Sequence, residues 1–163
     1  MKLAHQLTQQ VKLLHKVALI TDDQILLLRR QPEALSRPGL WDLPGGNSEW
    51  PELTSQTESV QKHLHIDDIV REVFEETQVV IDPITLKEPV CFDTTFEPKS
   101  DIFTILVGWK YKLPNQPAVQ LSNEHTDFAW VRESDLHQYD VGFFGDTDGF
   151  FLALYAKAFS QSE

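Results

Sequence analysis

The stretch Arg71-Glu72-Val73-Phe74-Glu75-Glu76 places one arginine and three carboxylates side by side. On a helix of about 3.6 residues per turn, Glu72, Glu75 and Glu76 lie three and four positions apart and share one face. Val70, Val73, Phe74 and Thr77 then point the other way and are expected to form the buried stripe. Like charges at this spacing repel, each pair costing about 0.2–0.5 kcal/mol. A cation held between them would offset that repulsion. An all-oxygen donor set suits Mg²⁺, Mn²⁺ or Ca²⁺ rather than a thiolate-seeking metal. A solvated acidic helix face is the other reading of the same six residues.

Outward from this segment, the helix is expected to begin near Ile66 to Asp68, with Asp67 and Asp68 suiting the positive end of its dipole, and to end near Thr77-Gln78. Upstream, a polar loop from Gln31 to Gly39 runs into Leu40-Trp41-Asp42-Leu43-Pro44-Gly45-Gly46. The two glycines permit positive φ and a close backbone approach. Taken alone they fit an ordinary tight turn equally well. Further upstream, Val11 to Ile20 and Ile25 to Leu28 read as strands joined by the turn Thr21-Asp22-Asp23-Gln24, a hairpin. Leu3, Leu7 and Val11, spaced by four, suggest a short helix or an ordered tail. Asn47 to His65 is polar, with a loop or a short extra helix expected in its middle. Downstream, Leu86 to Thr95 and Ile102 to Leu113 read as strands around the loop Phe96 to Asp101. Asp127 to Val131 reads as a last strand, Glu133 to Leu136 as a helical turn, and Phe150 to Phe159 as an amphipathic helix after the loop Gly142 to Gly149. Strands with helices on both sides make an α/β sandwich.

Composition narrows the function. The 163 residues suffice for one domain with a sizeable core, and 41% are hydrophobic. The net charge of -11 argues against general nucleic-acid binding, which needs basic residues to displace counterions from phosphates. A phosphate substrate would need a bound cation to screen its approach. Cys91 is the one cysteine, so no internal disulfide forms; it sits in an apolar run as a small hydrophobe. Met1 to Gln10 lacks an apolar signal core, and no run approaches the roughly 20 apolar residues of a membrane span. A cytoplasmic protein is expected.

Gly46, Glu52 and the Arg71–Glu76 stretch together resemble the Nudix hydrolases. The pattern of that family is a glycine, five residues, a glutamate, seven residues, then Arg-Glu, an aliphatic, any residue, Glu-Glu, any residue, a glycine and an aliphatic. Gly46 followed by five residues reaches Glu52; Arg71 to Thr77 and Val79 fit the second half. Gly39 to Gly46 looks like the lead-in that these enzymes often carry. Two positions depart. Between Glu52 and Arg71 lie 18 residues, an insertion of 11 placed between Leu53 and Leu64, so Glu49 or Glu58 could stand in for Glu52 beside Arg71. Gln78 replaces the glycine after the helix, where a left-handed cap is expected.

The resemblance implies a Nudix-type α/β/α sandwich with a mixed sheet, as a single domain over 1–163. It implies a metal-dependent hydrolase cleaving a diphosphate linkage in a nucleoside diphosphate derivative or nucleotide, with Mg²⁺ or Mn²⁺ as cofactor. Glu72, Glu75 and Glu76 would be metal ligands, with a carbonyl from Gly45 or Gly46, and Arg71 would orient the glutamates. The proton acceptor would be one of these glutamates or a later one, Glu124 or Glu97. Gly45 and Glu52 are expected at the substrate, and Arg37 either there or paired. Phe96, Phe128, Phe143 and Phe144 are expected to be core more than base-stacking residues, and His63, His65 and His125 surface residues. A small nucleotide-type partner and a homodimer follow by resemblance. The alternative is a catalytically silent Nudix-like module that binds and senses a nucleotide. The isomerase branch of the fold, which would need Cys91 as a reactive thiol, fits least. Trp50 with the insertion, and the loop Gly142 to Gly149, are the expected specificity elements.

Overall fold

Two neighbouring strands carry the apolar runs that nucleate the core. β1 (Val11–Thr21) and β2 (Gln24–Arg30) are buried over most of their length. Both faces of this part of the sheet are covered, so the strands read as continuous hydrophobic runs instead of alternating ones. Val17 and Leu19 of β1 with Leu26 and Leu28 of β2 face one cluster; Ala18, Ile20, Ile25 and Leu27 face the other. The computed structural model describes residues 10–49, 62–141 and 149–160.

The remaining elements in order are β3 (Trp41–Asp42), α1 (Leu64–Thr77), β4 (Cys91–Glu97), β5 (Ile102–Lys112), β6 (His125–Arg132) and α2 (Gly149–Phe159), with 3₁₀ turns at Pro83–Thr85 and Glu133–Gln138. The sheet runs β3-β2-β1-β5-β4, with β6 also paired to β2. β1 and β5 are parallel from Val11↔Phe103 to Ile20↔Lys112; the other pairs are antiparallel, so the sheet is mixed. α1 packs Ile69 and Val73 on one face with Val79, Ile81, Leu86 and Trp109. α2 packs Phe150, Phe151, Leu154, Tyr155 and Ala158 on the other. This is the expected α/β/α sandwich.

One feature of the sheet creates the site. β1 and β2 pair only beside their hairpin, at Ile20↔Ile25 and Thr21↔Gln24. Beyond it they separate, and the chain from Leu43 to Ser48 fills the gap. Val17 N–H donates to the Pro44 carbonyl (2.8 Å), His15 N–H to that of Gly46 (2.9 Å) and Ser48 N–H to that of Leu13 (2.8 Å).

Several expectations need correction. α1 begins at Leu64, ahead of Ile66, after His63 in a left-handed conformation at φ 59. On α1 the buried residues are Ile69, Val73, Glu76 and Thr77, whereas Phe74 is 42% exposed. The buried stripe is thus rotated toward Ile69, and Glu76 turns into the protein. The strand expected at Leu86 starts only at Cys91. Leu86 is buried against the α1 side, Pro89 has no N–H to offer, and pairing resumes with Val90 N–H donating to the Gly108 carbonyl (2.8 Å). β6 starts at His125, before Asp127. Phe96 and Phe128 are exposed, 51% and 38%, not core. His125 is buried at 5%, not at the surface. Gln78 takes the left-handed cap expected of a glycine, at φ 58, its N–H donating to the Phe74 carbonyl. The expected helix near Leu3, the middle of the insertion with Glu52, Glu58 and Trp50, and Phe143 and Phe144 lie outside the described residues.

Candidate active site

The wedge at Leu43–Ser48 faces the C-terminal half of α1, and a strong hydrogen bond joins the two. Gly45 N–H donates to Glu76 Oε2 at 2.8 Å. Gly45 has φ 129, and a Cβ there would overlap the His15 carbonyl, so only glycine brings this N–H so close to β1. Gly46 plays a second part: a Cβ on it would overlap the Glu72 carboxylate. The paired glycines therefore let α1 lay Glu72 and Glu76 against the loop.

Glu76 is only 7% exposed. Burial raises its pKa to about 8; Asp42 and Glu72 add to the rise, while Lys16 and the Gly45 N–H oppose it. The pKa of Glu72 is raised as well, by burial first and by Glu75 and Glu124, against the pull of Arg71. Arg71 lies between acidic groups: Nη1 is 3.0 Å from Glu72 and 3.2 Å from Glu75, and Nη2 is 3.5 Å from both Glu49 and Asp68. Glu49 thus reaches Arg71. Glu75 pairs with Arg71 at the rim, with its side chain 56% exposed, and is absent from the residues lining the cleft beside Glu72 and Glu76.

That cleft has a volume of about 400 Å³. Its acidic lining includes Glu49, Glu97 and Glu124 besides the two helix glutamates, and its basic lining is Lys12, Lys16, Arg30 and Arg37. Glu124 arrives there because the chain before β6 docks on the end of α1. Gln120 N–H donates to the Thr77 carbonyl (3.0 Å) and Ser122 N–H to that of Glu76 (3.2 Å). Glu97 enters from the end of β4 and accepts a hydrogen bond from Ser100 Oγ. Among the described residues no aromatic side chain lines the cleft.

The basic side of the cleft centres on Asp42. Its carboxylate meets Lys16 Nζ at 2.7 Å, the Arg37 guanidinium, and Arg30 Nη1 at 3.9 Å. Burial alone would raise the pKa of Asp42, but Lys16 and Arg37 outweigh it and hold it at about 2. Three cations on one carboxylate leave positive charge facing the cleft of a protein whose net charge is -11. His125 lies buried behind Glu76, its Nε2 3.7 Å from Glu76 Oε1. Burial first, then Lys16 and Arg30, lower its pKa to about 4, so it is a neutral imidazole at physiological pH.

The sequence-derived site residues Gly45, Gly46, Glu72, Glu76, Glu124 and Arg37 therefore converge on the cleft, Arg71 and Glu75 flank it, and Glu52 lies outside the described residues. Lys16, Asp42 and His125 were missed. A lysine inside the apolar run of β1 and an aspartate two residues before Pro44 were the available signals. Cys91 is half-buried against Gly108 and Leu154, and burial pushes its thiol up to about 11, which suits an inert packing residue.

The donor set fits a hard divalent cation. A buried carboxylate with a pKa near 8 gains most from a nearby positive charge, and Glu72 and Glu76 supply oxygen alone; the Gly45 and Gly46 carbonyls already accept from Lys16 Nζ and the His15 N–H. Among the described residues no group of three or more His, Cys, Asp or Glu side chains is clustered to hold a metal. The fit therefore rests on the two glutamates, Glu72 and Glu76. Among the described residues, too, no helix is long and apolar enough to cross a membrane.

Comparison with known proteins shows the family. The NUDIX domain model matches residues 15–146, most of the chain. The chain belongs to the Nudix family. Similar structures include the MutT protein of Methanosarcina mazei Go1, with 21% identity, coverage of 93% of this chain and 95% of that one, and a TM-score of 0.65. The Nudix domain of Shewanella oneidensis NrtR, complexed with ADP ribose, is 23% identical over 92% of this chain and 88% of that one, with a TM-score of 0.63. A C. elegans Ap4A hydrolase, in a binary complex, is 20% identical over 90% and 93%, with a TM-score of 0.60. At these identities the likeness concerns the fold. No curated protein matches the sequence.

Proposed function

We propose that this chain hydrolyses a diphosphate linkage in a nucleotide-type small molecule, with Mg²⁺ or Mn²⁺ held by Glu72 and Glu76. The observation that carries the proposal is the buried Glu76 carboxylate, pinned by the Gly45 N–H beside Glu72 and opposite the Lys16, Arg30 and Arg37 cations. A divalent ion bound there neutralises phosphate charge and supplies a water of lowered pKa. Arg30 and Lys12 are placed to bind the phosphates, and the Asp42 cluster adds positive charge behind them. Arg71 keeps Glu72 aimed at the cleft through its 3.0 Å contact. Glu124 takes the proton from the attacking water; its electrostatic coupling to Glu72 supports it over Glu97. Holding water, phosphate and base in one cleft turns an encounter into a positioned reaction. The molecules named with the similar structures, ADP ribose bound to NrtR and Ap4A as the substrate of the hydrolase, make nucleoside diphosphate sugars and dinucleoside polyphosphates the first classes to test. A cytoplasmic setting, a single domain and a homodimer accompany this reading; sedimentation tests the last.

The test is release of nucleoside monophosphate or phosphate from a panel of nucleoside diphosphate derivatives, dinucleoside polyphosphates and nucleoside triphosphates, with Mg²⁺, with Mn²⁺ and with chelator. Metal-dependent turnover of at least one class is expected. Metal binding with no turnover of any class would favour a nucleotide-binding module instead.

A further inference from the structure

Lys16 is a charged residue inside an apolar strand, and its surroundings account for all of its hydrogen-bonding capacity. It is 4% exposed. An ammonium has three donors, and here they meet Asp42 Oδ2 at 2.7 Å, the Leu43 carbonyl at 3.1 Å and the Gly45 carbonyl at 3.2 Å. With all three engaged, Lys16 has no donor left for a substrate phosphate, although it lines the cleft. The residues on either side complete a pattern. His15 N–H holds the Gly46 carbonyl and Val17 N–H holds that of Pro44. Consecutive carbonyls from Leu43 to Gly46 are therefore bound by three consecutive residues of β1, in alternation between main chain and the Lys16 side chain.

A flat strand could bind only every second carbonyl of the segment, because alternate carbonyls point away from it. The ammonium captures the two that point away. The consequence reaches Glu76. The N–H and the carbonyl of Gly45 are fixed by different partners, Glu76 Oε2 and Lys16 Nζ. Without the ammonium, the Leu43 and Gly45 carbonyls lose a buried donor, a loss that a loop relieves by turning toward water. That turn would take the Gly45 N–H away from Glu76.

We propose that Lys16 is the positioning residue of this site: its ammonium sets the Leu43–Gly46 loop, and through the Gly45 N–H it orients the Glu76 carboxylate. The kinetic side of this proposal rests on the hydrolase reading; its structural side does not.

Two measurements test it on the full chain, as wild type, Lys16→Met and Lys16→Gln: hydrogen exchange of the Gly45 amide by NMR, and kcat with KM on the substrate found by the panel. In Lys16→Met the Gly45 amide is expected to exchange at least about tenfold faster, while the amides pairing β1 with β5 keep their protection. A drop in kcat of about tenfold or more at unchanged KM should accompany it, the pattern of an interaction that acts on the transition state alone. Lys16→Gln retains an amide donor and should fall between. Should Lys16→Met not fold, Lys16→Gln decides, with faster Gly45 exchange expected there too. Unchanged Gly45 exchange in a folded variant would overturn the proposal, as would loss of protection spread evenly over β1 and β5. A wild type without turnover would sink the hydrolase reading and leave the exchange result decisive for Lys16.

Discussion

Gly45 and Gly46 are adjacent and identical, yet the structure gives them opposite sensitivities. An alanine at 45 would meet main chain, the carbonyl of His15, in a left-handed φ that disfavours any side chain. The nearest atoms an alanine at 46 would meet are the end of the Glu72 side chain, which can swing aside at small cost to the fold. Gly46→Ala is therefore expected to keep a Tm within a few degrees of wild type and to lose activity by about tenfold or more, because Glu72 no longer lies where it must. Gly45→Ala is expected to lose both. Thermal melts beside initial rates separate the two; a fully active Gly46→Ala would show that the place of Glu72 is unimportant. At this scale the sequence was partly legible. The pattern put Glu72, Glu75 and Glu76 on one face opposite the apolar stripe, with Glu76 and Glu72 as the foremost ligands, but it did not show that Glu76 is buried while Glu75 stays at the rim. Spacing cannot tell which of three neighbouring carboxylates an arginine draws to the rim; that depends on where Glu49 and Asp68 approach Arg71.

At the scale of elements, α1 is held at its end by a substitution that the family pattern does not favour. Gln78 sits at φ 58, with its main-chain N–H and its side-chain amide both donating to the Phe74 carbonyl, at 2.8 and 3.1 Å. A non-glycine in this conformation costs roughly 1 kcal/mol, and the side-chain bond returns part of it. Gln78→Gly is expected to raise unfolding stability by up to about 1 kcal/mol in a urea titration, without changing turnover. A lower stability would mean that the side-chain bond outweighs the backbone strain. The strands β1, β2 and β5 were legible because two-sided burial writes unbroken apolar runs. β4 was legible only in part, since the apolar Leu86 belongs to the core below α1 and not to a strand. The stripe on α1 was misread for a related reason. A helix that borders a cleft buries one polar residue for function, and hydrophobicity alone assigns that place to Phe74.

At the scale of the whole molecule, three buried groups with displaced pKa values make the stability of the metal-free protein depend on pH in a definite way. His15 is lowered to about 4 by burial first and by His65, and His125 to about 4 by burial, Lys16 and Arg30. A depressed histidine contributes stability above its unfolded value of about 6.5, lost as pH falls through the folded value. Glu76 acts in the opposite sense. Its folded pKa of about 8 lies above the unfolded value, so its contribution is complete at low pH and lost as pH rises through 8. Between about 4.5 and 6.5 the lowered histidines, His65 with His15 and His125, outnumber the raised glutamates, Glu72 with Glu76, and stability rises with pH; toward pH 8 the histidines no longer contribute, Glu76 loses its proton, and stability falls. A maximum near pH 6.5 is expected in urea midpoints measured with chelator, and Mg²⁺ should flatten the alkaline fall. Midpoints that climb steadily to pH 8 would contradict the assignment of Glu76. None of this was visible in the sequence, where His15 and His125 are ordinary residues. The fold buries His15 against Trp109, Ser48 and His65, and His125 against Glu76 and Ser122.

The central claim is that the buried Glu76 carboxylate is indispensable to a metal-dependent hydrolysis. Its most direct test is kcat/KM for wild type and Glu76→Gln, with saturating Mg²⁺, on the substrate that the panel identifies. The amide keeps the size of the side chain and an acceptor for the Gly45 N–H, so the fold is expected to survive. A fall of about 10²-fold or more is expected, some 2.7 kcal/mol of transition-state stabilisation. A folded Glu76→Gln within about twofold of wild type in kcat/KM would contradict it.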